Sequence, residues 1–493
     1  MTDTITTITG ERRMLLDGRL VEAGTGATFE NVNPATEEVL GVTADASADD
    51  MRAAVAAARR AFDETSWSTD PGFRRRCLEQ LHAGLTEAKE ELRSVLVAEC
   101  GSPVAITHFV QIDPCIEDVT HWARQATDYE YERELAQSTF MGRQHRRVVL
   151  REPIGVVGAI TPWNFPLVLN LAKLAPALAA GNTVVLKPAP DTPWTATLLG
   201  RIIAEKTDIP AGVVNIVPSS DHLVGEVLTT DPRVDMVTFT GSTATGRRIM
   251  AKGAETVKKV FLELGGKSAN IILDDADFSG LAMAAFGVCM HSGQGCAITT
   301  RMLLPRSRYA EGLEAVAASF AGLPYGDPTD PGTIQGPLIS AKQRDRVMGY
   351  IEKGKAEGAR LVTGGNRAAK FEHGFFVEPT LFADVDPDMT IAQEEIFGPV
   401  LAVIPFDDDD DAVRIANNSI YGLSGAVTSA SDERSMAVAR RIRTGTISVN
   451  GGMWYGVDTP FGGYRQSGVG RENGTEGFEE YLEIKTVGLP ADS

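Results

Sequence analysis

The sequence predicts an α/β protein with two successive α/β domains and a separate small β segment. Short β-branched runs alternate with helical ones after Arg151, which indicates a mostly parallel sheet covered by helices on both faces. A second alternating set begins at residues 268–273. Residues 128–150 differ from both sets because they are polar with alternating β-type stretches, and they predict a hairpin available for subunit contact.

Two helices are predicted ahead of the first sheet. Ser47 and Asp50 have the spacing of a capping box, and the apolar residues that follow recur on one face, so residues 47–64 predict a helix. Residues 74–99 predict a second amphipathic helix, which ends at Gly101.

The elements of the two sheets follow from the same alternation. The first sheet is predicted from strands at 154–160, 182–186, 212–217, 234–240 and 258–264, with helices at 167–180, 192–206, 221–229 and 246–256. The second set consists of a strand at 268–273, a helix at 278–290, a strand near 300–304, a helix at 308–320 and further alternation to a strand near 400–406.

The composition is that of a globular protein and excludes several classes of partner. The 493 residues are 43% hydrophobic and 23% charged, with a formal net charge of −19. An acidic chain of this kind does not favour nucleic acid or an anionic membrane surface as its main partner. No apolar run reaches the roughly 18 residues of a membrane span, and the N-terminus lacks the apolar core of a signal peptide. We therefore expect a cytoplasmic protein.

Neither a disulfide framework nor a metal site is expected. The five cysteines are an odd number without a CxxC pair, and the seven histidines are scattered. The five aspartates of residues 407–411 precede a helical pattern, where acidic residues favour the helix N-terminus and stay solvated. They also lack the spaced liganding loop of a calcium site.

Three single residues and one glycine-rich turn are candidates for chemistry, each with a structural alternative. GSTATG (241–246) follows a strand and opens a helix, so it either binds a pyrophosphate or packs strand on helix. Cys296, flanked by glycines, is a nucleophile or a small buried hydrophobe. Glu263 at a strand end is a general base or a solvated turn residue. Asn164, between two prolines, donates to an oxyanion or caps its own turn.

Motifs along nearly the whole chain resemble those of the aldehyde dehydrogenase superfamily, in its hydrolytic NAD(P)-dependent branch. The resemblance extends from NPATEEVLG (33–41) to GRENG (470–474). Between them lie, in the family's order, TPWNFP (161–166), LKP (186–188), FTGST (239–243), LELGGKS (262–268), GQGC (293–296), EEIFGPVL (394–401), YGLSG (421–425) and PFGGYRQSG (460–468). So many separate motifs in one order make chance agreement negligible.

The resemblance implies a domain organisation. Residues 1–127 and 151–262 would form a Rossmann-like NAD(P)-binding domain, and residues 263–476 an α/β catalytic domain. Residues 128–150 and 477–493 would form an oligomerisation arm, which implies a homodimer or a homotetramer.

The resemblance also implies the chemistry. Cys296 would attack a small-molecule aldehyde, and the oxyanion would be met by the Asn164 amide and the Cys296 backbone N–H. Hydride transfer to the nicotinamide would leave a thioester, which water activated by Glu263 would hydrolyse to the carboxylic acid. Lys173 resembles a family lysine close to the catalytic site.

The expected cofactor is NAD, with NADP as the alternative. The residues implied to bind it are Ile160, Thr161, Trp163, Lys187, Gly225, Phe239, Gly241, Ser242, Gly246, Leu264, Glu395 and Phe397. Lys187 resembles the ligand of the adenosine ribose, and Glu395 that of the nicotinamide ribose. Many members carry a ribose-binding glutamate three residues after the lysine of LKP. Here that position is Pro190, followed by Asp191, so both cofactors stay open.

The resemblance places apolar side chains around the substrate tunnel. These residues are Phe165, Leu169, Ala172, Met290, Gly295, Ala297, Trp454 and Tyr455. Ala172 stands where some members have tryptophan, which predicts a wider channel, and none of these positions carries an arginine for a substrate carboxylate. We therefore expect medium to bulky apolar or aromatic aldehydes, and selective turnover of a dicarboxylic semialdehyde alone would contradict this.

Two further departures from the family pattern concern single residues. His291 stands five residues before Cys296, where asparagine is frequent, and we expect it to pack or to hydrogen-bond behind the site. Arg465 replaces a usual lysine, and we expect this change to have no effect on function.

Three alternative functions accompany the resemblance. A Cys296–His291 hydrolase would work without nicotinamide. An acylating, coenzyme-A-dependent enzyme is disfavoured by Glu263. A non-catalytic binding or structural protein is disfavoured by the retained candidate residues.

Overall fold

The computed structural model describes residues 8–491, which form four sheets and the helices that cover them. The strands are β1 (Met14–Leu16), β2 (Arg19–Val21), β3 (Thr28–Val32), β4 (Val39–Ala44), β5 (Glu132–Phe140), β6 (Arg143–Pro153), β7 (Val156–Ile160), β8 (Thr183–Lys187), β9 (Val214–Ile216), β10 (Met236–Thr240), β11 (Lys259–Glu263), β12 (Ala269–Ile272), β13 (Arg301–Pro305), β14 (Arg360–Thr363), β15 (Thr380–Ala383), β16 (Val400–Phe406), β17 (Gly425–Thr428), β18 (Ser448–Val449), β19 (Gly468–Val469) and β20 (Leu482–Pro490).

The α-helices of the same residues lie mostly between these strands. They are α1 (Ala48–Glu64), α2 (Pro71–Glu87), α3 (Lys89–Cys100), α4 (Val104–Ile106), α5 (Asp113–Asp128), α6 (Pro166–Ala180), α7 (Pro193–Lys206), α8 (Glu226–Thr230), α9 (Thr243–Gly253), α10 (Ala284–Cys289), α11 (Tyr309–Ala321), α12 (Ala341–Ala356), α13 (Thr390–Gln393), α14 (Asp409–Asn417), α15 (Asp432–Ala439) and α16 (Gly474–Glu479). No helix in the described part of the chain is both long and apolar enough to cross a lipid bilayer.

The first sheet has eight strands in the order β19-β11-β10-β7-β8-β9-β1-β2. The five strands from β11 to β9 in this order are parallel. Strand β19 pairs with β11, and β1 pairs with β9, both in antiparallel orientation. Along β8, Val184 and Leu186 pack into the core formed with α2, α5, α6 and α7, whereas Val185 packs into the core formed with α1, α8 and α9. The sheet is thus covered on both faces, which explains its continuous apolar runs.

The second sheet has seven strands in the order β14-β15-β16-β13-β12-β17-β18, and all but β14 run parallel to their neighbours. It is also covered on both faces, since Leu303 packs with helices α12 to α15 and its neighbours Met302 and Leu304 pack with α10 and α11. The expected α/β class with parallel sheets is confirmed.

A three-stranded antiparallel sheet, β20-β6-β5, stands apart from the two large sheets. The hairpin predicted within residues 128–150 is β5 and β6, and β6 continues to Pro153. The C-terminal strand β20 pairs with β6 from Leu482 to Pro490. The short hairpin of β3 and β4 forms the fourth sheet.

Some predicted elements differ from those observed. The capping box is present, with Ser47 accepting from the Asp50 nitrogen, and Gly101 ends α3 in a left-handed conformation. The single helix predicted over 74–99 is wrong, because the chain bends at Ala88 and forms α2 and α3. Helix α2 packs on α5, α6 and α7, and α3 continues the contact with α7.

The helix predicted over 278–290 is also wrong in detail. A 3₁₀ turn at Phe278–Met283 precedes the short helix α10. The Asp277 side chain accepts from the Ser279 nitrogen and so starts the tighter turn. Gly280 and Gly287 further weaken a regular helix.

The aspartates of residues 407–411 begin a helix, as their position predicts. Asp408 caps α14 by accepting from the Asp411 nitrogen at 2.9 Å. Asp409 forms an ion pair with Arg434 at 2.6 Å. These carboxylates are therefore engaged in capping and ion pairing.

Glu99, near the end of α3, is the buried carboxylate that joins three elements. Its oxygens accept from the Trp194 and Thr195 nitrogens at the start of α7, at 2.9 and 2.7 Å, and from Asn31 Nδ2 at 2.8 Å. It satisfies N–H groups at the start of α7, which the helix itself leaves without partners. Burial raises the pKa of Glu99 to about 7, against the opposing effect of these donors.

Replacing Glu99 by alanine is expected to lower the free energy of unfolding by about 2–4 kcal/mol, because several buried donors lose their acceptor together. Glu91→Ala is the matched control on the same helix. Glu91 pairs with Arg201 near the surface, so its loss should cost at most about 1 kcal/mol. Denaturant unfolding of both variants measures this difference, and equal losses would contradict the role given to Glu99.

Candidate active site

The candidate residues are brought together by the register of four parallel strands. Ile160 at the end of β7 pairs with Lys187 at the end of β8 and with Phe239 of β10, and Thr240 of β10 pairs with Glu263 of β11. The carboxyl ends of parallel strands lie at one edge of a sheet, where ligands bind in open α/β folds. The segments that leave these strands form the site.

A cavity of about 800 Å³ opens at this edge. Eight of the twelve predicted cofactor-binding residues line it, namely Ile160, Thr161, Trp163, Lys187, Gly225, Phe239, Gly241 and Ser242. Ser242 caps α9, so the N-terminal end of that helix begins at the cavity wall. A cavity beside a helix N-terminus suits a phosphate-bearing ligand.

Lys187 gives the cavity a buried amine. Its Nζ donates to the Ser219 carbonyl at 3.2 Å, and burial lowers its pKa to about 8. A Cβ added at Gly225 would lie 3.1 Å from Lys187 Cδ, so a side chain there would crowd the lysine. The lining also includes Asp191 and Glu226, two carboxylates able to accept hydrogen bonds from hydroxyl groups.

The other four predicted cofactor residues lie outside the lining of this cavity. Gly246 is buried on α9, where an added Cβ would be 2.6 Å from Leu264 Cδ2, so it allows close packing of helix on strand. Glu395 accepts from the Gly266 nitrogen at 2.9 Å, and Phe397 meets Trp163 edge-on with ring centroids 5.4 Å apart. Glu395 and Phe397 therefore adjoin the cavity edge, whereas Gly246 and Leu264 lie beneath it.

The loop that carries Cys296 is fixed by buried hydrogen bonds. Ser292 Oγ donates to the Gly336 carbonyl at 2.6 Å, and Gln294 Oε1 accepts from the Ile339 nitrogen at 2.9 Å. Cys296 itself is half-buried, whereas the other four cysteines are buried. The thiol is thus presented by a rigid loop with access to a ligand.

Asn164 lies against the same loop. Its Nδ2 donates to the Gln294 carbonyl at 2.8 Å and uses one of its two N–H groups there. Among the residues that the structure describes, Nδ2 has no second acceptor, so the other N–H is available beside the Cys296 segment. This arrangement can supply one of the two donors that an oxyanion needs next to a nucleophile.

Glu263 is a buried carboxylate at the end of β11. Within residues 8–491 neither of its oxygens has a hydrogen-bond partner. Burial, with a smaller contribution from the Glu472 carboxylate, raises the pKa of Glu263 well above its usual value, and Lys173 opposes this shift. A raised pKa makes this carboxylate a stronger base than a solvated glutamate, as a proton acceptor requires.

Lys173 forms a buried ion pair with Glu472, with Nζ and Oε1 2.6 Å apart. Both side chains are almost fully buried, and the ammonium also lies 4.9 Å from the centroid of the Phe261 ring. The sequence pattern does not predict a role for Glu472 at the site, although the residue lies within the GRENG motif. Its partner is 299 residues away along the chain, so the contact leaves no local signal.

The Cys296 thiol lies in a negative, poorly solvated environment. Burial raises its pKa above the usual value, and the carboxylates of Glu263, Glu395 and Glu472 add to the rise, with Glu263 the strongest of the three. The thiol therefore stays protonated at neutral pH until a base accepts its proton, and Glu263 is the carboxylate that influences it most.

His291 does not face Cys296. Its Nε2 lies 3.8 Å from Cys100 Sγ, and its ring meets the Phe165 ring edge-on with centroids 5.4 Å apart. Burial lowers its pKa to about 4. A Cys296–His291 dyad is therefore not supported, and His291 packs against Cys100 and Phe165 instead.

The predicted substrate residues fall into two groups in the structure. Phe165, Leu169 and Ala172 lie on or beside α6, while Met290, Gly295 and Ala297 lie in or beside the Cys296 loop; Phe165 and His291 meet edge-on at 5.4 Å. Trp454 stacks on Phe461 at 5.8 Å, and Tyr455 packs edge-on against the same ring at 6.0 Å. Tyr455 is 44% exposed, so this second group reaches the surface.

Sequence and structure comparisons give a consistent relationship. The aldehyde dehydrogenase family matches residues 20–487. A 3-succinoylsemialdehyde-pyridine dehydrogenase from a Pseudomonas species is 43% identical over 481 residues, which cover 97% of this chain and 98% of that protein.

Two solved structures share the whole fold. A Mycobacterium tuberculosis aldehyde dehydrogenase complexed with NAD⁺ is 45% identical, covers 98% of this chain and 99% of its own, and has a TM-score of 0.93. An NAD⁺ complex of a Bacillus cereus aldehyde dehydrogenase is 39% identical, covers 100% and 99%, and has the same TM-score. The chain described here therefore belongs to the aldehyde dehydrogenase family and is an enzyme of that family.

Proposed function

We propose that the protein oxidises an aldehyde to the carboxylic acid with NAD, through a thioester on Cys296 that water hydrolyses. The observation that carries the proposal is the convergence of Cys296, Asn164 and Glu263 at one sheet edge, beside a cavity of about 800 Å³. A nucleophile, an oxyanion donor and a buried base are the three groups that this chemistry requires.

Cys296 acts first, as the nucleophile. Because its pKa is raised, attack on the aldehyde carbon is coupled to loss of the thiol proton, and Glu263 is the carboxylate best able to accept it. The oxygen of the resulting thiohemiacetal gains negative charge. The free N–H of the Asn164 amide and the Cys296 backbone N–H stabilise that charge.

NAD, when bound, supplies the acceptor for the hydride that leaves the thiohemiacetal carbon. The residues proposed to hold it are Lys187, Ser242, Glu395 and Phe397, together with the remaining cavity lining. Glu263 releases the thiol proton to solvent and then takes a proton from the water that attacks the thioester, and the Cys296 sulfur leaves as the acid is released. The Lys173–Glu472 pair contributes through its charges, because Glu472 raises the pKa of Glu263 and Lys173 lowers it.

NAD is the proposed cofactor. Asp191 lines the cavity together with Lys187, and a carboxylate there accepts hydrogen bonds from ribose hydroxyls and repels a 2′-phosphate. Glu226 also lines the cavity but is paired with Arg248. Asp191 directly follows Pro190, the position where the family's usual glutamate is replaced. The NAD⁺ complexes of the two related structures support the same choice.

The substrate is proposed to be a medium to bulky apolar or aromatic aldehyde. The side chains expected around it are apolar or aromatic. The aromatic group of Trp454, Tyr455 and Phe461 is proposed to form the outer end of the substrate tunnel. Asp118 is half-buried in the same region, and burial together with the Asp458 carboxylate raises its pKa. The Asp118 carboxylate in turn contributes to raising the pKa of Tyr455. The negative charge of Asp118 disfavours a second carboxylate on the substrate. The name of the Pseudomonas relative describes an aldehyde with a pyridine ring.

A homodimer or homotetramer in the cytoplasm is the proposed form of the enzyme. Residues 128–150 and 477–493 are proposed to form the oligomerisation arm, residues 1–127 and 151–262 the NAD(P)-binding domain, and residues 263–476 the catalytic domain. Phe140 and Met141 at the hairpin tip and Ile484 on β20 are apolar and at least 60% exposed. Such side chains are typical of a surface that a second subunit covers.

The proposal is tested by measuring reduced-nicotinamide formation with purified protein. NAD and NADP are compared across aliphatic, aromatic and semialdehyde substrates, without coenzyme A. We expect kcat/KM with NAD to be at least about tenfold higher than with NADP. The Asp191→Asn variant should bring the two kcat/KM values closer together, because it removes a negative charge that repels the 2′-phosphate of NADP.

Two outcomes would contradict the proposed function. Dependence on coenzyme A would instead identify an acylating enzyme, and nucleotide binding without any turnover would support a non-catalytic role.

Variants of the nucleophile and the base separate the two chemical steps. Cys296→Ala should reduce turnover by about 10⁴-fold or more while cofactor binding persists. Glu263→Gln should slow hydrolysis by about 10²-fold or more, so a burst of reduced cofactor precedes slow turnover. Rapid-mixing absorbance at 340 nm, with nucleotide affinity from fluorescence titration, measures both effects. Full activity of Cys296→Ala would refute the mechanism.

The buried ion pair provides a pH test with opposite signs. Lys173→Met removes the cation that opposes the raised pKa of Glu263, so the acid limb of the kcat profile should move upward by about 1 pH unit. Glu472→Gln removes a like charge, so the limb should move downward by a similar amount. Each variant leaves a buried charge unpaired and should be less stable by about 3–5 kcal/mol. Shifts of the same sign in both variants would contradict this electrostatic account.

A further inference from the structure

An ion pair between two helices lies on the wall of the cavity proposed to bind the dinucleotide. Glu226 begins α8 and Arg248 lies on α9, and Arg248 Nε donates to the Glu226 carboxylate. Both residues belong to the lining of the cavity. The Glu226 side chain is 32% exposed and that of Arg248 is 58% exposed, so a ligand in the cavity can reach the pair.

One face of α9 follows the cavity from the N-terminal end of the helix. The lining residues on this face are Ser242, Thr245, Arg248, Ile249 and Lys252. Their intervals of three and four residues keep side chains on one face of a helix. Ser242 caps the helix end, where a phosphate group is proposed to bind. At 1.5 Å per residue, Arg248 lies roughly 9 Å further along the axis, beside the next part of such a ligand.

The Glu226 end of the pair adjoins the residue proposed to bind the adenosine ribose. Gly225 immediately precedes Glu226, and a Cβ added at Gly225 would lie 3.1 Å from Lys187 Cδ. The contacts thus run from Lys187 on β8 through Gly225 to the ion pair. A ribose that binds at Lys187 therefore has Glu226 and Arg248 on the same wall. NAD and NADP differ at this ribose, by a hydroxyl or a phosphate at the 2′ position.

The cavity lining carries more positive than negative charge. Its lysines and arginines are Lys187, Arg248, Lys252, Lys342 and Arg346, and its carboxylates are Asp191 and Glu226. A guanidinium is the side-chain group best shaped to bind a phosphate, because it offers paired N–H donors. Both arginines are engaged by the protein, since Arg346 donates to the Glu395 carbonyl at 2.7 Å and Arg248 donates to Glu226.

We propose that the Glu226–Arg248 pair is a determinant of the preference for NAD, because Glu226 engages a guanidinium that would otherwise bind the 2′-phosphate of NADP. The inference rests on the proposed function and adds a second determinant to Asp191. An exposed ion pair contributes little energy, so its effect on selectivity is a moderate factor and not an absolute barrier.

Equilibrium binding measures this effect without catalysis. Glu226→Gln keeps the size of the side chain, removes its charge and frees Arg248. In calorimetric titrations we expect this variant to lower the Kd for NADP about fivefold to tenfold and to change the Kd for NAD by less than about twofold. Adenosine 2′-phosphate and adenosine 5′-phosphate probe the adenosine end alone, and the Kd of the 2′-phosphate should fall by the same factor as that of NADP.

A double-mutant cycle tests whether the gain passes through Arg248. Arg248→Gln alone should leave the Kd for NADP within about twofold of the original value, because Glu226 already engages this arginine. In the Arg248→Gln background, Glu226→Gln should lower the Kd for NADP by less than about twofold. A full gain in that background would mean that Glu226 acts through its own charge, and this result would overturn the role given to the pair.

Two matched controls remove the same charges close to the pair. Arg247 precedes Arg248 but donates to the Gln466 side chain, and neither Arg247 nor Glu255 belongs to the cavity lining found within residues 8–491. Arg247→Gln and Glu255→Gln should each leave the Kd values of NAD and NADP within about twofold of the original.

The outcomes distinguish this inference from the proposed function. The melting temperature is measured for each variant, and Glu226→Ala replaces Glu226→Gln if the latter does not yield folded protein. An unchanged Kd for NADP in the Glu226 variant, or equal Kd values for NAD and NADP in the original protein, would refute the inference. Absence of NAD binding to the original protein would refute the proposed function itself.

Discussion

The site depends on the register between four parallel strands. The register places Leu262, Phe239, Ile160 and Lys187 in line across β11, β10, β7 and β8, and the pair of Thr240 and Glu263 lies one residue further along. A slip of one residue in β11 would reverse the direction of the Glu263 side chain, because successive side chains in a strand point to opposite faces. Phe261 and Leu262 of β11 pack into the two opposite cores, so packing below the edge determines which groups meet there.

The second constraint is electrostatic. Burying Glu263 without a hydrogen-bond partner is unfavourable for its charged form, and the same burial raises its pKa and so makes the carboxylate more basic. The Lys173–Glu472 pair beside it has no net charge, so it can modulate Glu263 without neutralising it. Because the Cys296 thiol lies among the same carboxylates, the proposed nucleophile and the proposed base are coupled, and protonation of one alters the other.

The sequence predicts what local patterns encode. The capping box at Ser47 and the β-branched strands are found where expected, since capping and burial on both faces leave a local pattern. The bend at Ala88 leaves none, because alanine is the strongest helix former and the bend serves the packing of α3 on α7. The same limit applies to Glu472, whose partner Lys173 is distant in sequence, and to Gly246, whose closeness to Leu264 depends on how α9 lies against β11.

The end of α3 shows how the fold joins parts of the site that are remote in sequence. Glu99 satisfies the N–H groups at the start of α7, which follows the cavity-lining segment 187–191. The adjacent Cys100 reaches the Trp163 carbonyl, next to Asn164. Two successive residues of one helix therefore contact the segment that leads from the cavity wall and the segment proposed to meet the oxyanion. A helix end is a suitable place for this, because successive side chains there diverge by about 100° and can reach different neighbours while sharing one rigid backbone.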